Sequence, residues 1–422
     1  MLRQNLFKGF YYGWGIIGTL AVTEMVSWGI LYYAFSVLQT SMAAEMGWTR
    51  PQMTGAFSLS LLIGGLAAIP VGIWLDHHGP RRLMTLGSLL GALLVFLWSG
   101  VSTLTGFYWV FAGIGLVSAA VQYEPAFAVA ATWFQRRRNH ALTIITLGGG
   151  MASPVFVPLT QRLNEAFGWR SALVTLAILL AVLTVPAHAL VLRRRPQDRN
   201  LLPDGDPPQA GASTTGYVAQ RLSMDRVREA LRDSGFWWLT IAFLLTTFIF
   251  VSFSVHLIPC LIERGFSPKI AASALAGVGF MQIPGRILFA PLTDRLSGRT
   301  VVAGLFIMQS FAIAVFFFAP NMAGLLAFVT LFGMSAGAGT PSRAALTVER
   351  YGAERYGSIA GVQSLTVNGI RAAAPFCVSL LREQSGGYNS FFVLGIVLSL
   401  LGTFCILLHD RRPFVSDADY KS

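Results

Sequence analysis

The chain has 422 residues, of which 54% are hydrophobic and only 12% charged, about half the charged share of an ordinary soluble domain. At a mean hydropathy of +0.60 there is too little polar side chain to wrap a body of this size in water, which excludes an ordinary soluble enzyme and confines disorder to short segments. The net charge of +12 suggests nucleic acid, but the placement of the basic residues gives it a different cause.

Apolar runs long enough to cross a bilayer cover 12–37, 54–75, 83–101, 106–132, 141–161, 171–192, 236–258, 270–292, 300–319, 323–346, 357–381 and 390–408. That makes twelve spans, six on either side of a polar stretch at 193–235. The first run is too long for a signal-peptide core and lacks a small-residue cleavage site, so it is expected to remain as an anchor. An even number of spans puts both termini on one side. Of the 31 Lys and Arg, 22 fall on the side of the termini, six on the other and three inside spans. The basic side holds Arg3, Lys8, Arg81, Arg82, Arg136, Arg137 and Arg138, all eight linker arginines, Arg295, Arg299, Arg350 and Arg355, and Arg411, Arg412 and Lys421. The positive-inside rule therefore predicts cytoplasmic termini in a plasma or inner membrane. The excess reads as a topology signal with attraction to anionic lipid, and no nucleic acid is required.

Within the linker, 196–216 is rich in Pro and Gly and reads as a flexible loop. Residues 217–233 set Val218, Leu222, Ala230 and Leu231 near one helical face among arginines. This is either an amphipathic helix on the inner leaflet or a solvated helix joining two bundles. A shift of about 218 residues overlays the two halves. Phe35-Ser36-Val37 meets Phe253-Ser254-Val255, Gly47-Trp48-Thr49-Arg50 meets Gly265-Phe266-Ser267-Pro268, and Asp76 meets Asp294. Gly168-Trp169-Arg170-Ser171 meets Gly387-Tyr388-Asn389-Ser390 one residue later. The predicted fold is an all-α polytopic membrane protein of twelve transmembrane helices in two pseudo-symmetric six-helix bundles, 1–192 and 236–422, joined by the linker 193–235. Two like-oriented bundles are expected to enclose a cavity near mid-membrane, an arrangement suited to alternating access.

Between the second and third spans stands Gly72-Ile-Trp-Leu-Asp76-His-His-Gly79-Pro-Arg81-Arg82, and a partial copy, Pro291-Leu-Thr-Asp294-Arg295-Leu-Ser-Gly298-Arg299, follows the eighth. Gly72 permits close helix approach and Asp76 can accept bonds from helix-end amides or arginines. With this motif and the repeat, the chain resembles the major facilitator superfamily over its whole length. The resemblance implies a conformational-switch role for Gly72, Asp76, Gly79, Arg81, Arg82, Asp294, Arg295 and Arg299. His77 stands where the family pattern has an arginine.

Charges inside spans are expensive and normally face a cavity or a partner. Glu24, Glu124, Arg286, Arg343 and Arg371 qualify, with Arg343 near enough to the cytoplasmic end to snorkel. Gln282 shares a helical face with Arg286, and Ser364 and Asn368 share one with Arg371. A guanidinium fork matches both oxygens of a carboxylate, so the two arginines either bind an anionic substrate or are neutralised by resident glutamates. The pair resembles the oxalate–formate antiporter and monocarboxylate transporter branch, in which a basic residue of span 8 binds carboxylate and, in the oxalate exchanger, a second on span 11 completes a site for a dianion. The opening Tyr11-Tyr12-Gly13-Trp14 and the Gly-Trp-Arg turn before span 6 are similar to that branch as well. Gln282 replaces the aspartate that animal monocarboxylate carriers place one turn before their arginine, and the span-1 lysine of those carriers is missing. Proton coupling by their route is therefore not expected.

Glu24 is the alternative proton carrier, since a carboxyl among apolar groups can bind and release a proton, and Trp28 and Tyr32 share its face. Glu124 is a second candidate, although it and Tyr123 cannot both point squarely into a cavity, because neighbours on a helix diverge by about 100°. His256 is a candidate gate residue near the outer end of span 7. The cysteines Cys260, Cys377 and Cys405 stand singly, with no zinc-type spacing, and no Walker loop, GxSxG or HExxH is present. The expectation is a transporter, not an enzyme, without metal or cofactor and working as a monomer. Its substrate is a small mono- or dicarboxylate, moved with protons or by exchange. The alternative is proton-coupled efflux of a drug or amphipathic metabolite, with the arginines structural. A membrane sensor is disfavoured because the loops leave no output domain.

Overall fold

Hydrocarbon offers the peptide group no hydrogen-bond partner, so apolar runs of this length must close their backbone bonds as helices. The computed structural model describes residues 11–206, 224–353 and 356–408. In chain order the helices are α1 (Tyr12–Trp28), a π-helical turn (Gly29–Tyr33), α2 (Ala34–Met46), α3 (Arg50–His78), α4 (Pro80–Ser99), α5 (Leu104–Val121), α6 (Tyr123–Trp133), α7 (Arg138–Gly150) and α8 (Ala152–Val191). After the linker come α9 (Met224–Arg232), α10 (Ser234–Glu263), α11 (Pro268–Arg295), α12 (Gly298–Phe318), α13 (Met322–Tyr351), α14 (Tyr356–Ser385) and α15 (Asn389–Leu408).

Among the described residues, eleven helical stretches are long and apolar enough to cross a membrane. One of them, Arg138–Val191, has 54 residues, or about 80 Å of helix, against a hydrocarbon core of about 30 Å. It reverses at Gly168, whose φ of 76° and ψ of 163° lie outside helical space and suit a residue without Cβ. Split there, the stretches give the twelve crossings of an all-helical integral membrane protein.

The chain divides into two compact units: Met1–Ser223 with Ala353–Gly361, and Met224–Gly352 with Val362–Ser422. The sequence-based halves meet around a linker at 193–235. Here the division falls at Ser223, and the first turn of α14 goes with the first unit.

In the first unit a core of Phe35, Trp98, Phe107 and Phe111 packs with Leu173 and Leu176. At its basic end the hydroxyls of Tyr11 and Tyr12 donate to the carbonyls of Trp133 (2.9 Å) and Val191 (2.7 Å), and Arg81 Nε donates to the Ala189 carbonyl at 2.7 Å. At the other end Arg170 pairs with Glu45 at 3.0 Å and donates to the carbonyls of Ser99 (2.7 Å) and Val101 (3.1 Å). The Trp169 indole, donating to Glu45 at 2.5 Å, and then Arg170 hold the Glu45 carboxyl below its ordinary range.

The flexible-loop expectation for 196–216 is corrected over its described part. Residues 196–206 form two 3-10 turns, and the Asp204 carboxylate accepts the backbone N–H groups of Gln135 (2.9 Å), Arg136 (2.8 Å) and Arg137 (3.1 Å). Arg136 also pairs with Asp206. Three converging amides bind an anion strongly enough to fold the chain's own aspartate onto the turn before α7. Of the helix expected at 217–233, α9 is the described portion, and 217–223 lies outside the described residues.

In the second unit Phe253 sits among Phe328, Phe332, Phe391 and Phe392. Arg264 repeats the role of Arg170: it donates to the Phe316 carbonyl at 3.2 Å and to Asn389 Oδ1 at 3.0 Å, while Glu263 pairs with Arg382. The repeat extends to capping. Gly47 and Gly265 both have positive φ, Thr49 and Ser267 cap α3 and α11, and Thr103 and Asn321 cap α5 and α12's successor α13. The conformational counterpart of Gly168 is Gly386 (φ 71°) and not Gly387, so no extra residue interrupts the repeat there.

Asp233 caps α10, accepting Gly235 N–H at 3.1 Å, and receives a two-pronged bond from Arg350 (2.7 and 2.8 Å) and the Tyr351 hydroxyl at 2.5 Å. Burial alone would push the Asp233 carboxyl up, but the bonds from Arg350 and Tyr351 outweigh it and hold the carboxyl below its ordinary value. Its contribution to stability is therefore full at neutral pH and is lost as pH falls through the depressed value. Removing one partner of such a buried pair costs about 3–5 kcal/mol, whereas replacing both with apolar groups costs far less. Arg350→Met is expected to lower the thermal unfolding midpoint clearly, and Asp233→Leu/Arg350→Met to recover most of the loss. A double variant as unstable as the single one would show that the pair does not act as a unit.

Candidate functional site

The first crossing is not a uniform helix. After Trp28 it widens into the π turn Gly29–Tyr33, a form that inserts a residue and tends to occur where a helix surface is put to use. Gly29 lies against the Phe156 ring, where a Cβ would collide. The fourth crossing breaks outright at Gln122 (φ −93°, ψ −162°), which ends α5 and starts α6. The break leaves amide groups at the α6 N-terminus, and Pro125, in that first turn, has no N–H to satisfy.

These two irregularities meet. The Trp28 ring lies 5.2 Å from the Tyr123 ring and 5.3 Å from that of Tyr32, while Tyr32 also touches Phe57 at 5.2 Å and Tyr123 stacks on Phe127 at 5.1 Å. Trp28 Nε1 donates to Glu24 Oε2 at 3.0 Å. Glu24 is fully buried, and its Oε1 has no hydrogen-bond partner among the described residues. Glu24 and Glu124 are within electrostatic reach of one another. Glycine allows this closeness: α7 backs onto Ala21 of α1 at Gly148, and Gly149 faces the Tyr123 hydroxyl. The predicted set Glu24, Trp28, Tyr32 and Tyr123 is thus one cluster of the first unit. Tyr123 and Glu124 diverge as neighbours must: Tyr123 turns to Trp28, and Glu124 Oε2 accepts the Tyr356 hydroxyl at 3.1 Å.

In the second unit Arg286 is buried, its Nη2 donates to Gln282 Oε1 at 3.0 Å, and its Nε has no hydrogen-bond partner among the described residues. Close packing of α11 on α13 sets this pair, since Gly285 lies on the Met334 carbonyl and Gly337 on the Gln282 backbone. Arg371 and Asn368 are half-buried on α14, and Ser364 is buried at the same helical face. His256 joins α10 to its neighbours. Its Nε2 lies 3.0 Å from the Pro375 carbonyl and its Nδ1 3.2 Å from the Tyr388 hydroxyl, so both nitrogens tie α10 to α14 and to the turn before α15.

The Gly72–Arg82 motif has a defined partner. Asp76 Oδ1 accepts Gly357 N–H at 3.2 Å, and Oδ2 accepts Ser358 N–H at 3.0 Å and the Ser358 hydroxyl at 2.6 Å. A carboxylate on the first amides of a helix also meets the positive end of its dipole. Gly72 lies on the Gly357 carbonyl and Gly361 on Ala68, so neither position has room for a side chain. Gly79 (φ 79°) turns the chain from α3 into α4, Arg81 reaches Ala189, and Arg82 is exposed beside it. In the second copy Asp294 and Arg295 are exposed in the last turn of α11, and Arg299 is half-buried at the start of α12. Sequence reading missed Tyr356, Gly357 and Ser358; the available signal was a polar Tyr-Gly-Ser opening an apolar helix. It also missed Asp233, Arg350 and Tyr351, for which spacing carried no signal.

Among the described residues no group of three or more His, Cys, Asp or Glu is placed to hold a metal. The family model of the Major Facilitator Superfamily matches residues 20–375 and 257–419. The chain is 27% identical over 427 residues to Monocarboxylate transporter 13 of Bos taurus, covering 95% of this chain and 92% of that protein. It is 26% identical over 422 residues to Monocarboxylate transporter 11 of Homo sapiens, covering 93% and 82%. A crystal structure of the transporter FucP in the outward conformation superposes with a TM-score of 0.69 at 14% identity, covering 93% of this chain and 98% of that one. With its helical crossings and its Gly72–Arg82 motif, the chain belongs to the major facilitator superfamily and is a membrane transporter, not an enzyme.

Proposed function

We propose that this transporter moves a small organic anion, a mono- or dicarboxylate, by alternating access across a plasma or inner membrane, with both termini cytoplasmic. The observation that carries the reading is Arg286, a buried guanidinium that spends one donor on Gln282 and whose Nε has no partner among the described residues. A buried donor of this kind is costly unless something occupies it, and a carboxylate matches the fork. The resemblance to monocarboxylate transporters supports the same reading. Arg371, with Asn368 and Ser364, would take a second carboxylate. Glu24 would carry a coupling proton, unless transport is by exchange. The alternative, proton-driven efflux of an amphipathic compound, draws on the aromatic cluster Trp28, Tyr32 and Tyr123 around Glu24.

Thermal shift against a panel of acids and lipophilic cations separates the two: stabilisation by carboxylates supports the first reading, and stabilisation by cations alone overturns it. Arg286→Gln is expected to abolish the carboxylate response while leaving the unliganded midpoint within a few degrees, and an unchanged response would remove Arg286 from the site. Arg371→Ala is expected to weaken diacids at least tenfold more than monoacids. Equal losses would make Arg371 structural. Asp76→Asn puts an amide donor opposite the amides of α14, so it is expected to slow transport of the best acid in proteoliposomes with little change in its affinity.

A further inference from the structure

Glu124 is absorbed by neither the aromatic cluster nor the arginine pair. Tyr356, the first residue of α14, is 1% exposed, and its hydroxyl donates to Glu124 Oε2 at 3.1 Å. The next two residues give both backbone amides and the Ser358 hydroxyl to Asp76. The turn 356–361 is thus held by two carboxylates, one from α3 and one from α6. The glycine contacts Gly72–Gly357 and Gly361–Ala68 bring the backbones within reach. The same turn is the only part of α14 that counts with the first unit, since Val362 onward belongs to the second.

We propose that Glu124 is a positioning residue that, through Tyr356, forms the second half of a latch on the first turn of α14, and that it links this latch to the Glu24 cluster. The link is local. Glu124 follows the Gln122 break directly, and its neighbour Tyr123 packs on Trp28, whose indole bonds Glu24. Tyr123 and Glu124 are adjacent residues of the first turn of α6, so a shift of one carries the other. Displacing Tyr123 from Trp28 therefore shifts the carboxylate that Tyr356 needs, and the break in the fourth crossing converts a change at Glu24 into release of the turn 356–361. The inference concerns the conformational step and is independent of which solute is carried.

The test is amide hydrogen exchange of 356–361 in the full-length protein in detergent micelles, using Tyr356→Phe, Glu124→Gln, Glu124→Leu and Tyr356→Phe/Glu124→Leu. A hydrogen bond of ordinary net worth predicts roughly fivefold faster exchange at Gly357 and Ser358 in the Phe and Leu variants, with exchange in 324–351 unchanged. Glu124→Gln keeps an acceptor for the tyrosine and should stay within about twofold of the parent. The double variant should exchange no faster than either single one, because both remove the same bond. Wild-type exchange in Tyr356→Phe, equal acceleration by Gln and Leu, or additive effects in the double variant would each overturn the proposal. Should Glu124→Leu fail to fold, Tyr356→Phe against Glu124→Gln still decides.

Discussion

A peptide group inside hydrocarbon has no water to turn to, so every backbone donor and acceptor in a crossing must be satisfied by the chain itself. That constraint makes all the crossings helical and gives each departure from the helix meaning. In the first unit the departures within crossings 1 and 4 are the π turn Gly29–Tyr33 and the break at Gln122, and they converge at Trp28 and Tyr123. Irregular backbone is tolerated at that depth where protein covers it or where it lines a cavity. Glu24, the buried carboxyl of the first crossing, stands beside this junction.

Helix ends pose the same problem at the rims. Arg170 gathers the carbonyls left over at the end of α4, Arg264 reaches the Phe316 carbonyl, and Arg81 reaches Ala189. Carboxylates meet the amide ends: Asp233 on α10, Asp204 on the turn before α7, and Asp76 on α14. A charged side chain is the strongest partner available for an orphan backbone group, which explains why a chain so poor in charge spends much of it at helix termini. Only a few charges are left for the interior, and Arg286 and Glu24 are buried there with an atom each that no described protein group satisfies. Deep burial together with such an atom directs the functional reading to these two residues.

The repeat shows the same economy. Gly47 and Gly265, Thr49 and Ser267, and Thr103 and Asn321 perform identical conformational tasks, although most of the surrounding residues differ. What persists is the turn residue that a helix start or a positive φ demands. Where the halves diverge, the charges differ: Glu24 and Glu124 stand in the first half, Arg286 and Arg371 in the second, and the Asp233–Arg350 pair has no counterpart among the described capping residues of the first unit.

By itself the sequence determined the class, the number of crossings and the charged residues worth examining. Length and apolarity act locally and at a scale set by the bilayer, so twelve runs of this kind leave little freedom. The face shared by Glu24, Trp28 and Tyr32 and the pairing of Gln282 with Arg286 were legible for the same reason, since both follow from helical spacing. Only the tertiary structure decided the rest. That Asp76 takes the amides of Gly357 and Ser358, that Tyr356 finds Glu124, that Asp204 folds the linker back and that His256 is spent on Pro375 and Tyr388 are contacts across roughly 70 to 280 positions of sequence. No periodicity encodes such pairs. They arise from helix packing, where a glycine at Gly72 or Gly148 lets two backbones approach closely enough for a side chain to choose its partner.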